Sequence, residues 1–453
     1  MAEPLPHPGY AGIRQRVPAP ARIAHPEDVG LAPRARVLVR DRVRLFQVGA
    51  AVIAIAVADD AFVHPEPGTS SGDHLASGLI PIAIAVLAAL AYPRLRAGVR
   101  ACLALVFGAL ALDAGIVDGV RHVAINTMSG DDLTAILAAF AGVGLLVLGA
   151  VTLWDSRRLD RPRRRRYMRR VLELVLAAVF TVLVVVPVGM AILVTHVARA
   201  PVPGANLGAA YRTATFTTSD GLRLSGWYVP SRNGAAVIVS PGRSAQVQEH
   251  ARMLIRHGYG VLVFDRRGEG QSEGDRNMYE WSGDKDLIAA VTFLRRQPDI
   301  RHGEIGGLGL SVGGEMLLQT AAETTGLKAV ASEGAGRRSL REHVHIPGLG
   351  TVQRWLTPWV VQTGALMVMS NTAPPPDLAQ LVSRISPRPI LLIRALHGLD
   401  DESLNRVYYA HARQPAALWE VPRGGHTGAL AALPQQYEAR VVGFFDRALL
   451  GSR

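Results

Sequence analysis

One serine of this chain lies in a sequence setting that could make it a nucleophile. Ser311 is the centre of the pentapeptide GLSVG, residues 309–313, which matches the pattern G-x-S-x-G. Such a turn joins a strand to a helix and strains the serine backbone, and its glycines allow other backbone to pack close by. Chance supplies this pattern roughly 0.2 times in a chain of this length and glycine content. The match is therefore informative mainly because a predicted strand precedes it and a predicted helix follows it.

A nucleophilic serine needs a base that accepts its proton, and the base needs a carboxylate that fixes its tautomer. His426 is a candidate base, because it lies in a glycine-rich loop just after the last predicted strand. Three adjacent carboxylates follow the preceding predicted strand, at Asp400, Asp401 and Glu402. The G-x-x-D spacing that begins at Gly398 favours Asp401 as the partner of His426, with Asp400 and Glu402 as alternatives.

The elements that must position these residues follow the alternation of an α/β domain. Strands are predicted at residues 212–218, 222–229, 235–240, 260–265, 304–310, 328–332, 389–394 and 417–421. Helical periods are predicted at residues 246–257, 283–296, 313–324 and about 434–450. The expected fold is a mostly parallel sheet with helices on both faces, and the candidate residues lie in loops that follow strands.

Residues 211–453 resemble the α/β-hydrolase superfamily of serine hydrolases. Within this superfamily they most resemble the branch of esterases and serine aminopeptidase-like proteins. The resemblance rests on FDRRGEGQSEGD at residues 264–275, which is similar to that branch's fourth-strand signature, on GLGLSVGGE, and on LWEVPRGGHTG. It implies that Ser311 is the nucleophile and His426 the general base. It also suggests the backbone N–H of Val312 as one oxyanion donor, and no cofactor is needed.

The loop after the third predicted strand departs from the family pattern. It reads SPGRS at residues 240–244, where the family usually has His-Gly. The second oxyanion donor is expected to be a backbone N–H of this loop, from Arg243 with Gly242 beside it. Removing such a donor typically lowers the rate about 10²- to 10³-fold.

An insertion at about residues 334–386 occupies the place of the superfamily's lid. Its apolar side chains could form a small helical core or an apolar wall for an acyl or lipid-like substrate. They are Trp355, Leu356, Trp359, Val360, Met367 and Met369. His343 and His345 alternate in the same segment without a placed third ligand, so we expect no metal site.

Composition separates a second region from this domain. Of the 453 residues 49% are hydrophobic and only 19% are charged, too apolar for a purely soluble protein. The formal charge of +12 comes from arginine-rich blocks at residues 34–44, 94–100 and 155–170, which carry +4, +3 and +7, while the rest of the chain carries −2. Because these blocks alternate with apolar stretches, we expect no nucleic-acid binding. The single cysteine, Cys102, excludes an intramolecular disulfide framework.

Five apolar stretches predict a membrane domain at residues 34–199, between a proline-rich, disordered tail at 1–33 and a linker at 200–210. The spans are expected at about 43–63, 75–93, 101–119, 133–154 and 171–197. Arginine-rich loops remain in the cytoplasm. A multi-pass protein of the cell membrane is therefore expected, with its N-terminus in the cytoplasm and the domain from residue 211 outside.

The leading hypothesis is a membrane-anchored serine hydrolase that cleaves an ester, or a peptide or amide bond, through an acyl-enzyme on Ser311. Its partners would be the lipid bilayer and a small-molecule or lipid-like acyl substrate. The alternative is a transport or sensing protein with a non-catalytic hydrolase-like domain. This alternative rests on three carboxylates in or near the spans, Asp59, Asp60 and Asp113. Charge in lipid is costly and often marks an ion or substrate path.

Overall fold

The computed structural model describes residues 28–116, 132–155, 163–196, 206–243, 247–301, 303–348, 350–351 and 358–451. The chain divides into two units, Met1–Arg44 and Leu45–Arg453. In the first unit the described residues are helical from Asp28 onward, so residues 28–33 of the predicted disordered tail belong to a helix. Most of the predicted linker, as well as Trp355 and Leu356, lies outside the described residues.

The N-terminal part of the chain is helical. Its α-helices are α1 (Asp28–Ala58), α2 (Leu75–Ala91), α3 (Ala97–Gly115), α4 (Asp132–Asp155), α5 (Arg163–Phe180) and α6 (Val186–Thr195). The π-helical turn Thr181–Val185 joins α5 directly to α6. Five spans of these helices are long and apolar enough to cross a membrane: Arg40–Val63, Leu75–Arg94, Ala97–Gly115, Asp132–Asp155 and Tyr167–Thr195. They coincide with the five apolar stretches of the sequence.

Helices α3 and α4 pack with their backbones in close contact, and glycines allow this approach. A Cβ atom at Gly108 would lie 2.8 Å from the carbonyl oxygen of Gly142, and a Cβ atom at Gly142 would lie 2.9 Å from that of Gly108. Gly115 lies equally close to the backbone of Ala135. Packing through small residues is typical of helices that associate within lipid, where apolar side chains gain nothing by leaving the solvent.

The C-terminal part of the chain contains one eight-stranded sheet. Its strands are β1 (Arg212–Thr217), β2 (Arg223–Val229), β3 (Ala236–Ser240), β4 (Gly260–Phe264), β5 (Ile305–Leu310), β6 (Ala329–Glu333), β7 (Ile390–Ala395) and β8 (Ala416–Val421). Their order is β1-β2-β4-β3-β5-β6-β7-β8. β2 is antiparallel to β1 and β4, and all other neighbours are parallel. This is the α/β-hydrolase fold that the sequence predicts.

Helices cover both faces of the sheet. They are α7 (Gln248–Arg256), α8 (Gly283–Arg295), α9 (Val312–Glu323), α10 (Leu340–Val344), α11 (Trp359–Ser370), α12 (Leu378–Leu381), α13 (Leu404–His411), α14 (Ala429–Ala432) and α15 (Pro434–Phe445). β3 to β7 are buried along their whole length, which explains their continuous apolar runs. Two apolar cores result, one on each side of the sheet.

The described part of the segment predicted as a lid includes the helices α10, α11 and α12. Its helix α11 packs against α6 and also contacts α2. The loop between α1 and α2 contacts the C-terminal part of the chain through two hydrogen bonds. The Gly274 N–H donates to the carbonyl oxygen of Pro67 (2.8 Å), and Asn371 Nδ2 donates to that of Asp73 (2.7 Å). The sheet domain thus contacts the N-terminal helices at this loop and at the C-terminal end of α6.

Candidate active site

Ser311 occupies a strained turn between β5 and α9. Its φ of 53° lies in the left-handed region, which costs a non-glycine residue about 1 to 3 kcal/mol. Both glycines of the motif are required by close backbone, because a Cβ atom at Gly309 would overlap the carbonyl of Gly313, and one at Gly313 would lie 2.5 Å from the carbonyl oxygen of Ser240. The Ser311 N–H donates to the carbonyl of Glu333 at 2.7 Å, which ties the turn to β6.

His426 lies at the same edge of the sheet. Its imidazole packs on Gly334, where a Cβ atom would lie 3.1 Å from Cε1 of the ring, and Gly334 has a φ of +70°. This glycine directly follows Glu333, the residue that accepts the hydrogen bond from Ser311. His426 Nδ1 forms a hydrogen bond of 2.6 Å with Glu402 Oε1. If Nδ1 donates the proton of this hydrogen bond, Nε2 is the ring atom that could accept a proton.

The expectation that Asp401 partners His426 is wrong, and Glu402 takes this position. The Glu402 carboxylate is 1% exposed and also accepts hydrogen bonds from the backbone N–H groups of Ala395 (2.9 Å) and Leu399 (3.1 Å). A Cβ atom at Gly398 would overlap this carboxylate, so the glycine makes room for Glu402.

The neighbouring carboxylates point elsewhere. Asp401 Oδ2 accepts a hydrogen bond of 2.7 Å from Arg337, and Asp400 is exposed. The physical reason is the 3₁₀ turn Asp400–Ser403, in which successive side chains differ by about 120° around the axis. Only one of the three carboxylates can therefore face His426.

The two predicted sources of oxyanion donors lie side by side. Val312 is the first residue of α9, where a backbone N–H has no intrahelical acceptor and the helix dipole favours negative charge. The loop after β3 lies against the same helix end, because the Ser240 and Pro241 carbonyls approach Gly313. In this loop Gly242 is buried and Arg243 is half-buried.

A buried charged pair near Ser311 is absent from the sequence-based prediction. Glu315 Oε1 accepts a hydrogen bond of 2.9 Å from the Gly336 N–H, and Arg338 lies 3.8 Å from the other carboxylate oxygen. Burial raises the pKa of Glu315, while the positive charges of Arg243 and Arg338 oppose this shift. The only sequence signal was a charged residue directly after the apolar turn, in GLGLSVGGE.

Comparisons with known proteins agree with this fold. Residues 214–421 match the family model described as X-Pro dipeptidyl-peptidase (S15 family). The YfhR protein of Salmonella typhi is 25% identical over 250 residues, which are 52% of this chain and 81% of that protein. The thiohydrolase AneE of Aspergillus aculeatus is 28% identical over 201 residues, which are 42% of this chain and 60% of that protein.

Among solved structures, the esterase Pf2001 of Pyrococcus furiosus aligns with 21% identity and a TM-score of 0.45, over 56% of this chain and all of that chain. The strand order and the family match together define the class of the C-terminal part. It has the α/β-hydrolase fold.

Proposed function

We propose that this protein is a membrane-anchored serine hydrolase that cleaves an ester bond through an acyl-enzyme on Ser311. The observation that carries the proposal is the convergence of a strained serine and a His426–Glu402 pair at one sheet edge, linked through Glu333 and Gly334. Three strands and their loops, far apart in sequence, supply these groups. Such a convergence is the arrangement that activates a serine hydroxyl.

The reaction would proceed in two matched halves. His426 Nε2 accepts the Ser311 proton while Oγ attacks the substrate carbonyl, and the oxyanion rests on the N–H groups of Val312 and the Arg243 loop. His426 then donates the proton to the leaving alcohol, which leaves the acyl-enzyme. Water, deprotonated by His426 in the same way, releases the acid and restores Ser311. Throughout, Glu402 stays ionised and stabilises the imidazolium.

Labelling with a fluorophosphonate tests this chemistry directly, because the probe phosphonylates an activated serine. The full chain in detergent should be labelled at Ser311, and Ser311→Ala should lose both labelling and ester hydrolysis. Comparing a p-nitrophenyl ester with the matching anilide tests the preference for esters over amides. A folded wild-type protein that is not labelled, or unchanged labelling of Ser311→Ala, would refute the proposal.

The proposed orientation places the hydrolase domain outside the cell membrane and the N-terminus in the cytoplasm. It is supported by the arginine-rich blocks and by the domain's contacts with the α1–α2 loop and the end of α6. With five alternating spans, these two places lie on the same side of the bilayer. There the site would meet small-molecule or lipid-like acyl substrates. Protease added to spheroplasts should release the domain by cleavage near residues 200–210, and protection would refute the orientation.

One observation keeps transport or sensing as a second candidate function. Asp113 lies within α3, and among the described residues its Oδ2 atom is buried without a hydrogen-bond partner. A Cβ atom at Gly189 of α6 would lie 3.3 Å from this oxygen. A carboxylate held between two candidate spans suits an ion path. This function would be favoured if Asp113→Asn abolished function in cells while Ser311→Ala did not.

A further inference from the structure

A short chain of hydrogen bonds links the loop beside Ser311 to the last apolar helix. Arg243 Nε donates to the carbonyl of Met278 at 2.8 Å. The N–H of the same Met278 donates to the carbonyl of Val194 at 3.0 Å. Val194 lies in the last turn of α6, where carbonyl groups have no intrahelical donor and are free to accept from elsewhere. Two hydrogen bonds thus join the proposed oxyanion loop to α6.

Packing reinforces this connection. The Arg243 guanidinium lies 4.7 Å from the centroid of the Tyr279 ring. Tyr279 and its neighbour Met278 in turn pack against one apolar cluster, which joins α6, the loop before α8 and α11 of the lid. The buried members of this cluster are Ala191, Val194, Trp281 and Leu366.

The geometry points to Arg243 as a positioning residue that transmits the placement of α6 to the oxyanion loop. This inference rests on the proposed serine-hydrolase function. The Arg243 side chain is fixed at two points, by the Met278 carbonyl and the Tyr279 ring, and these contacts restrain the loop whose Ser240 and Pro241 carbonyls approach Gly313 of α9. An oxyanion donor must lie about 2.7 to 3.1 Å from the developing charge. A displacement of 1 Å can lower a rate about 10²-fold.

Only arginine suits this position. Its planar guanidinium can donate from Nε while its face stacks on an aromatic ring, whereas a lysine ammonium is a point charge and cannot do both. In the part of the chain that the structure describes, no carboxylate oxygen lies within 4.0 Å of this guanidinium. The positive charge of Arg243 also acts on the buried Glu315, but Arg243→Lys keeps this charge, so that variant tests the geometry of the side chain.

The experiment uses the full chain in detergent, with kcat and KM for a water-soluble ester and the rate of fluorophosphonate labelling as readouts. Arg243→Lys should lower kcat and the labelling rate about 10- to 100-fold, with KM changed less than about threefold. Arg252→Lys is the matched control, because Arg252 Nε also donates to a distant backbone carbonyl, that of Asn206 at 3.0 Å. The control should keep wild-type kcat.

A second variant reaches the same loop from the helix side. Leu366→Ala opens a cavity between α11 and α6 and should lower kcat about 3- to 10-fold, whereas Leu449→Ala, equally buried in the sheet domain, should not. If Arg243 acts through α6, the double variant loses no more kcat than Arg243→Lys alone. Should Leu366→Ala fail to yield folded protein, Leu366→Val takes its place.

The outcomes separate this inference from the proposed function. Unlabelled wild-type protein would overturn both. A labelled wild type with unchanged kcat in Arg243→Lys, or with only its KM raised, would overturn the role of Arg243 alone. Multiplicative losses in the double variant would show that Arg243 does not act through the helix.

Discussion

The N-terminal helices and the sheet domain use the same apolar residue types in opposite ways. In the helices many large apolar side chains point outward, as at Phe140, which is 70% exposed, and Val147, which is 57% exposed. In the sheet domain comparable residues such as Val237 and Leu308 are fully buried. The packing differs as well, since α3 and α4 meet through glycine backbone, whereas away from Ser311 the sheet packs against its helices mainly through buried apolar side chains.

This difference fits the proposal that the N-terminal helices lie in lipid and the sheet domain in water. In water, burying apolar area drives folding. In lipid it gains nothing, so helices associate through close backbone approach instead. The candidate active-site residues lie wholly in the sheet domain, yet the proposed oxyanion loop is linked through Met278 to the end of α6. The following predictions test how separable the two regions are, beginning with the largest expected effect.

A substitution of Glu402 in the sheet domain should greatly slow ester hydrolysis without disturbing the N-terminal helices. Glu402→Gln removes the charge that stabilises the His426 imidazolium and permits the wrong tautomer, so kcat should fall roughly 10³- to 10⁴-fold. Asp401→Asn should cost less than about tenfold, because Asp401 pairs with Arg337. Steady-state ester hydrolysis measures both, at a temperature below the Tm of each variant, because Glu402→Gln also replaces an acceptor of the buried Ala395 and Leu399 N–H groups and should lower the Tm. A larger loss in Asp401→Asn would restore that residue as the acid.

Burial in the sheet domain should make stability depend on pH. The Glu342 carboxylate accepts hydrogen bonds from the N–H groups of Arg338 and Ala379, and burial raises its pKa from 4.5 to about 7. Between these pH values the folded state holds a proton that the unfolded state has lost, so stability falls as pH rises. The decrease contributed by Glu342 should be about 3 kcal/mol.

The measurement is thermal unfolding of the detergent-solubilised chain between pH 4.5 and 7. Glu342→Gln cannot ionise, so its stability should fall less steeply over this range than that of the wild type. Parallel curves for the two proteins would contradict the raised pKa.

Backbone packing in the helices should resist even one added methyl group. In Gly142→Ala the new Cβ atom would lie 2.9 Å from the Gly108 carbonyl oxygen, so α3 and α4 must separate, at a cost of about 2 kcal/mol. Gly144→Ala, two residues along the same helix, meets no atom within 4 Å and is the matched control. Thermal unfolding should show a lower Tm for the first variant only, and equal values would argue against this packing.

The smallest effect is expected on the outward face of the helices. Val147→Ala should change stability by less than about 0.5 kcal/mol in detergent, since this exposed side chain contacts apolar detergent in the folded and in the unfolded chain alike. Val237→Ala, the same substitution at a buried position of β3, should cost about 2 kcal/mol. Similar losses at both positions would remove the distinction between the two regions.

Much of the architecture could be predicted from the sequence because its signals are local. Apolar runs and turn residues located all eight strands to within about two residues, and the five apolar stretches coincide with the five candidate spans. Helix α13 (Leu404–His411) was missed, since it follows the carboxylate loop directly and offers only two turns of periodicity. The helical residues 28–33 were also missed, because prolines dominate the tail before them.

The sequence by itself determined that Ser311 lies in a strand-to-helix turn, because glycine spacing encodes the strained backbone, and that His426 follows the last strand. Only the tertiary structure decided which carboxylate meets His426, because the direction of each side chain depends on how the 3₁₀ turn is oriented toward a loop 24 residues away. It also decided that Arg243 reaches Met278 and, through it, α6. Such partners are distant in the chain, and no local pattern encodes contacts that form only when separate elements pack together.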